Sequence, residues 1–166
     1  PRIDAECPKC RSKERQRFLY MILQSKELKD IIPKFPKTLH FAAEDCLKPF
    51  LKKFSSTYQT ADLFEEADLK IDIESINISS NSYDLVILNH VFEHVDDYKA
   101  ASEVERILNP RGILIATSPI IKAWEETFEL ENTFTKIEKE IFYGQGDHLR
   151  YYGSDFPDRI TKNNKL

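Results

Sequence analysis

Two short stretches hold most of the side chains that could do chemistry. One is Asn89-His90-Val91-Phe92-Glu93-His94, and the other runs from Gly144 to Asp155 as GQGDHLRYYGSD. An imidazole titrates near pH 6.5, so His148 is a candidate general base at neutral pH. Arg150 can hold an anionic substrate through a two-pronged contact, with Asp147 and Tyr151 beside it as further substrate contacts. Asp147 is adjacent to His148, and neighbours on an extended chain point to opposite faces, so it does not orient that ring.

His90 and His94 have the four-residue spacing of two ligands on one helical face. The H-E-x-x-H order of a zinc protease is absent, because Glu93 directly precedes the second histidine. His94 therefore reads as a structural hydrogen-bonding residue that ties its loop to the next helix. Cys7-Pro8-Lys9-Cys10 has the spacing of half a zinc site, but a closed structural site takes four ligands. No second C-x-x-C exists and Cys46 stands alone. No metal is assigned, and both cysteines of the motif are expected to stay reduced.

Elements must place these groups. Tyr83 to Leu88 is an apolar run without alternation, which suits a parallel strand covered on both faces. The polar stretch from Asn89 lies just past its carboxyl end, where open α/β sheets bind ligands. Asp97 can cap the next helix, whose Ala101, Val104, Ile107 and Leu108 form one apolar stripe. Pro110 and Gly112 end it, and Ile113 to Thr117 form another strand. Earlier strands are expected at Thr38–Ala42, Thr57–Ala61 and Lys70–Ile73, with a helix over Asp45–Phe54. An N-terminal helix, capped by Ser12, runs to about Leu28 and buries Phe18, Leu19, Ile22 and Leu23. The alternation predicts an α/β, Rossmann-like, mainly parallel sheet flanked by helices. Residues 1–30 form the C-x-x-C segment and its helix, and residues 31–166 the Rossmann-like domain, in one compact unit. Residues 120–146 read as a partly helical insertion.

The 166 residues suffice for about one domain. A net charge of −4 argues against a nucleic-acid footprint. No apolar stretch approaches the roughly 20 residues that span a bilayer, and no signal peptide opens the chain. Three cysteines, an odd count, do not read as a disulfide framework. The expected compartment is the cytoplasm. The start at Pro1 and the polar end suggest that the chain is cut or incompletely ordered at both termini.

Tyr83-Asp84, Val91-Phe92-Glu93-His94-Val95 and Leu108-Asn109-Pro110-Arg111-Gly112 together resemble the class I S-adenosylmethionine-dependent methyltransferases, in particular the type 11 group. Leu39-His40-Phe41-Ala42-Ala43-Glu44, the Cys-Pro-x-Cys start and the Gly144–Asp155 segment resemble a narrower bacterial set within it. The resemblance implies S-adenosylmethionine as cofactor and S-adenosylhomocysteine as product. It implies a cofactor site built from Phe41, Ala42, Ala43, Glu44, Asp62, Leu63, Asp72, Ile73, Asn89 and His90. Glu44 would pair with the cofactor's ammonium, Asp62 with the ribose hydroxyls, and Asp72-Ile73 with the adenine. Asn89 and His90 would line the floor below the methionine part. The usual glycine-rich first loop is replaced by Ala42-Ala43, still small enough for close approach.

The function expected is methyl transfer to an oxygen or nitrogen of a small-molecule or saccharide-like acceptor. A degenerate methyltransferase fold that only binds a partner is the rival, and a zinc-ribbon-like nucleic-acid adaptor a weaker third reading. The antiparallel hairpin that closes such sheets is not visible after Arg159. Its absence would leave an open edge, which favours a homodimer or a missing C-terminus.

Overall fold

The computed structural model describes residues 5–130 and 135–162. Five parallel strands form its centre: β1 (Lys37–Phe41), β2 (Thr57–Asp62), β3 (Leu69–Lys70), β4 (Tyr83–Asn89) and β5 (Leu108–Thr117), in the order β3-β2-β1-β4-β5. The chain steps outward from β1 to β3, then crosses back to lay β4 against the other side of β1. That reversal opens a crevice at the carboxyl ends of β1 and β4.

β4 shows why its sequence lacks alternation. Leu85 and Ile87 face one core, with Leu19 and Leu23 of α1 (Glu14–Gln24) and Leu51 of α3 (Lys48–Phe54). Val86 and Leu88 face the other, with Ala100, Ala101, Val104 and Ile107 of α4 (Asp97–Ile107) and Phe156 and Ile160 of α6 (Phe156–Thr161). The N-terminal helix thus supplies one of the two covering layers.

A short helix α2 (Lys26–Ile31), a 3-10 turn (Phe92–His94) and α5 (Lys136–Tyr143) complete the helices. An antiparallel pair, β6 (Phe128–Glu129) with β7 (Arg150–Tyr151), stands apart from the main sheet. Among the described residues β5 is a sheet edge. Beside it runs an apolar groove of about 910 Å³ lined by Leu114, Ala116, Phe156 and Ile160.

Several local expectations need correction. The N-terminal helix breaks at Ser25, whose hydroxyl accepts from the Leu28 amide and starts α2. Ser12 is not the cap of α1: Lys13 takes that place and its amide donates to the Gln16 side chain. Phe18 is exposed, and Gln16 is buried with Leu19 and Leu23. The helix after β1 begins at Lys48, with Pro49 in its first turn, where the missing amide costs nothing. The third strand is Leu69–Lys70, earlier than expected. Asp96, not Asp97, caps α4 through the Lys99 amide, and Asp97 is buried. β5 starts directly at Leu108, and its register against β4 shifts between Tyr83 and Leu85. Pro110-Arg111-Gly112 therefore lies within the strand, with Arg111 at a left-handed φ of 71°.

Candidate active site

The carboxyl ends of β1, β2 and β4 enclose a cavity of about 490 Å³. Phe41, Ala42, Asp62, Leu63, Asp72, Ile73 and His90 line it, all named from the sequence as cofactor contacts. Two of them sit in strained backbone: Ala42 has φ 47° and His90 φ 55°. Left-handed conformations are costly for residues other than glycine and concentrate at functional sites. Here the strain falls at the ends of adjacent strands, where the chain must turn sharply away from the crevice. The His90 amide is held there by the Thr117 carbonyl at 2.8 Å.

Asp62 ends β2 and serves two purposes. Its Oδ1 accepts from the Phe64 and Glu65 amides, both at 2.8 Å, which fixes the turn. Its second oxygen has no partner among the described residues and belongs to a side chain that lines the cavity. Asp72 repeats the arrangement, its Oδ1 accepting from the Glu74 amide at 2.9 Å. Leu63, Phe64, Ile71 and Ile73 supply the apolar wall.

Three expected cofactor residues lie elsewhere. Ala43 lines a neighbouring depression with Lys48, Glu65 and Glu66. Glu44 lines another, with Cys10, Gln16 and Cys46. Its carboxylate accepts from Gln16 Nε2 at 3.1 Å and from Asn89 Nδ2 at 3.2 Å, and faces His40 Nε2 at 3.2 Å. Burial raises its pKa, but the contacts to His40, Asn89 and Gln16 outweigh that and hold it below the ordinary carboxylate value. Asn89 is buried, and its Oδ1 accepts from Thr117 Oγ1 at 3.0 Å. Glu44 and Asn89 thus brace β1, β4 and β5 against each other rather than lining the cavity.

Asp147, expected as a substrate contact, lines the cavity, and so does His94, which sequence reasoning reads only as a structural hydrogen-bonding residue. They meet across the mouth, His94 Nδ1 3.3 Å from Asp147 Oδ2. His148 is only 3% exposed and lies behind His94, the two rings edge to face at 4.8 Å. Burial, then the nearby His94, lowers its pKa, so it is neutral near pH 7. Its Nδ1 is buried without a hydrogen-bond partner among the described residues.

Arg150 is not placed to clamp a substrate. It is buried, and its Nη1 donates to the Phe92 and Val95 carbonyls at 2.8 and 2.6 Å. Its Nη2 donates to Glu129 at 2.6 Å. The guanidinium therefore fixes the 3-10 turn that carries Glu93 and His94. Tyr151 is half-buried, its ring between those of Trp124, Tyr143 and His148. Cys7, Cys10 and Cys46 are all free thiols, and Cys10 Sγ donates to Ser12 Oγ at 3.2 Å. Among the described residues they do not gather three ligand atoms at metal-binding distance.

A family model described as a methyltransferase domain matches residues 36–116, just under half of the chain. No curated protein matches it in sequence. Solved structures share the fold. A protein of Bacillus halodurans C-125 is 16% identical, with a TM-score of 0.62 over 89% of this chain and 63% of its own. An S-adenosylmethionine dependent methyltransferase from Mesorhizobium loti is 12% identical, with a TM-score of 0.57 over 84% of this chain and 80% of its own. Coclaurine N-methyltransferase, solved with N-methylheliamine and SAH, is 11% identical, with a TM-score of 0.60 over 95% of this chain and 50% of its own. The chain thus spans less than two thirds of the Bacillus halodurans protein and half of the coclaurine enzyme. At these identities the structures establish a Rossmann-like methyltransferase fold. Together with the matched domain they support the methyltransferase reading made from the sequence.

Proposed function

We propose that the protein is a methyltransferase that takes S-adenosylmethionine as donor and releases S-adenosylhomocysteine. One observation carries this reading: seven residues assigned to the cofactor from the sequence line a single cavity at the switch point of the sheet. The donor set fits the group. Asp62 offers an unpartnered carboxylate oxygen to the ribose hydroxyls, and Asp72 a carboxylate near the exocyclic amine. Leu63, Ile71 and Ile73 offer an apolar wall to the adenine, and Ala42 lets the backbone come close. When bound, the cofactor supplies a methyl group already activated by its sulfonium.

The chain's own task is then alignment and exclusion of water. His90 and His94 stand on the wall of the cavity that an acceptor would meet, with Asp147 opposite. We assign the acceptor's proton to the neutral His148, which stands in edge contact behind His94 rather than on the cavity wall. Asp147 and Tyr151 are the remaining candidates for acceptor contact. The acceptor class is a small or saccharide-like molecule with a hydroxyl or amine. The rival, a fold that only binds a partner, gains no specific support from the cavity.

Calorimetric titration with S-adenosylmethionine and S-adenosylhomocysteine tests the reading. Binding of both, weakened in an Asp62→Ala variant, supports it. Failure of either ligand to bind the folded protein would sink it.

A further inference from the structure

Behind the cavity wall lies a second cluster that cofactor binding does not require. Glu93, His94 and His148 each offer a ligand atom, and these atoms lie within 4.8 Å of one another. Glu93 is 1% exposed and His148 3% exposed. A carboxylate and an imidazole this deeply buried normally find full partners. Here His148 Nδ1 has none among the described residues. Glu93 Oε2 accepts from Ser118 Oγ, while Oε1 faces only His90 Nδ1, at 2.9 Å.

The cluster is also rigidly assembled. The Leu149 amide donates to the Glu93 carbonyl at 2.8 Å, which stitches the segment of His148 to the 3-10 turn. Arg150 clamps the same turn through the Phe92 and Val95 carbonyls. Two segments more than 50 residues apart in sequence are thus fixed so that their imidazoles converge on one carboxylate.

We propose that Glu93, His94 and His148 bind one divalent cation of the borderline class, zinc above all. Two imidazoles and one carboxylate are a ligand set for such an ion in sites that keep one position open. Ligand atoms about 2.0–2.2 Å from a tetrahedral ion stand about 3.4 Å apart. The cluster therefore closes by roughly an ångström on binding, mostly through the half-exposed His94. Because His94 lines the cavity, the ion sits at its wall, and the open position can take an oxygen of the acceptor. That last role rests on the proposed methyl transfer, whereas binding of the ion does not. With an ion in place, His148 acts on the acceptor through it rather than as a direct base.

The test uses the full chain carrying Cys7→Ser, Cys10→Ser and Cys46→Ser, so that thiols cannot bind the probe. The protein is stripped with chelator and titrated with zinc chloride by calorimetry, with S-adenosylhomocysteine titrated in parallel. One equivalent of zinc is expected. His94→Ala and His148→Ala should each weaken it at least about tenfold, as loss of even an outer support of a metal ligand does. Circular dichroism shows whether each variant folds. If His148→Ala does not, His94→Ala on the more exposed residue decides alone. Absence of stoichiometric zinc, or unchanged affinity in His94→Ala, overturns the proposal. A protein that binds zinc but not S-adenosylhomocysteine would keep the metal site and refute the cofactor reading. The converse would refute the metal site alone.

Discussion

Asp97 and Arg159 meet face to face although 62 residues separate them. Arg159 Nε lies 2.6 Å from Asp97 Oδ2, and Nη2 lies 3.1 Å from Oδ1. The Tyr152 hydroxyl donates to the same carboxylate at 2.9 Å, and Arg150 Nε stands 3.7 Å away. Asp97 is 1% exposed, so a single buried carboxylate gathers the first turn of α4, β7 and α6. Charge assistance and several donors offset the cost of removing it from water. This knot holds the C-terminal segment over the sheet and so keeps His148 and Asp147 beside the cavity.

Breaking the knot should be expensive. Asp97→Ala takes an ion-pair partner from the buried Arg150 and the half-buried Arg159 and one acceptor from the Tyr152 hydroxyl, and is expected to cost about 3–5 kcal/mol. Urea unfolding of the variant checks this. A loss below about 1 kcal/mol would show that the ion pairs are idle.

Gly153 is required by close approach, not by its torsion. A Cβ placed there would stand 2.6 Å from the backbone carbon and oxygen of Glu126. Backbone cannot swing aside as a side chain can. Gly153→Ala should therefore destabilise by about 1–3 kcal/mol, the usual range for overpacking. The shift in denaturation midpoint measures it.

Asp62 separates binding from folding. Asp62→Asn keeps an acceptor for the Phe64 and Glu65 amides but removes the charge, so its denaturation midpoint should stay near that of the parent protein. Asp62→Ala removes both. Loss of charge-assisted hydrogen bonds worth about 1.5–3 kcal/mol should weaken S-adenosylhomocysteine binding by about tenfold or more in the alanine variant. Equal affinity in all three proteins would exclude Asp62 as a ribose contact.

Glu44 sets an acid limit to stability. Burial raises its pKa, but His40, Asn89 and Gln16 pull it below the ordinary value of 4.5. A depressed folded pKa means that the unfolded chain takes up the proton first as pH falls. The stabilising contribution is therefore complete above the ordinary value and is lost as pH drops through the lower, folded one. The denaturation midpoint should decline on going from about pH 5 to about pH 3. In Glu44→Gln that decline should be shallower, with a lower plateau at neutral pH. An identical slope in both proteins would refute the assignment.

Much of this protein was legible before any fold was known. The unalternating Tyr83–Leu88 run implied a strand buried on both faces, and β4 is that strand, with Leu85 and Ile87 on one side and Val86 and Leu88 on the other. The stripe of α4 and the small residues after β1 were likewise local signals. Local patterns also placed Asp62 and Asp72 near the ends of strands, where a parallel sheet brings them to one crevice. Tertiary structure decided what those side chains do. Nothing in the spacing of Arg150 shows that two carbonyls of the 3-10 turn would take its donors, because those contacts cross 55 to 58 residues of chain. Glu44 follows the first strand as a ligand-binding residue would, yet Asn89 and Gln16 reach it first. His148 joined Glu93 and His94 only when the chain folded back over the sheet. Periodicity reports which face a residue occupies, since that depends on its immediate neighbours. Which polar groups satisfy one another is settled by distant segments competing for the same buried donors and acceptors, and that competition exists only in the folded chain.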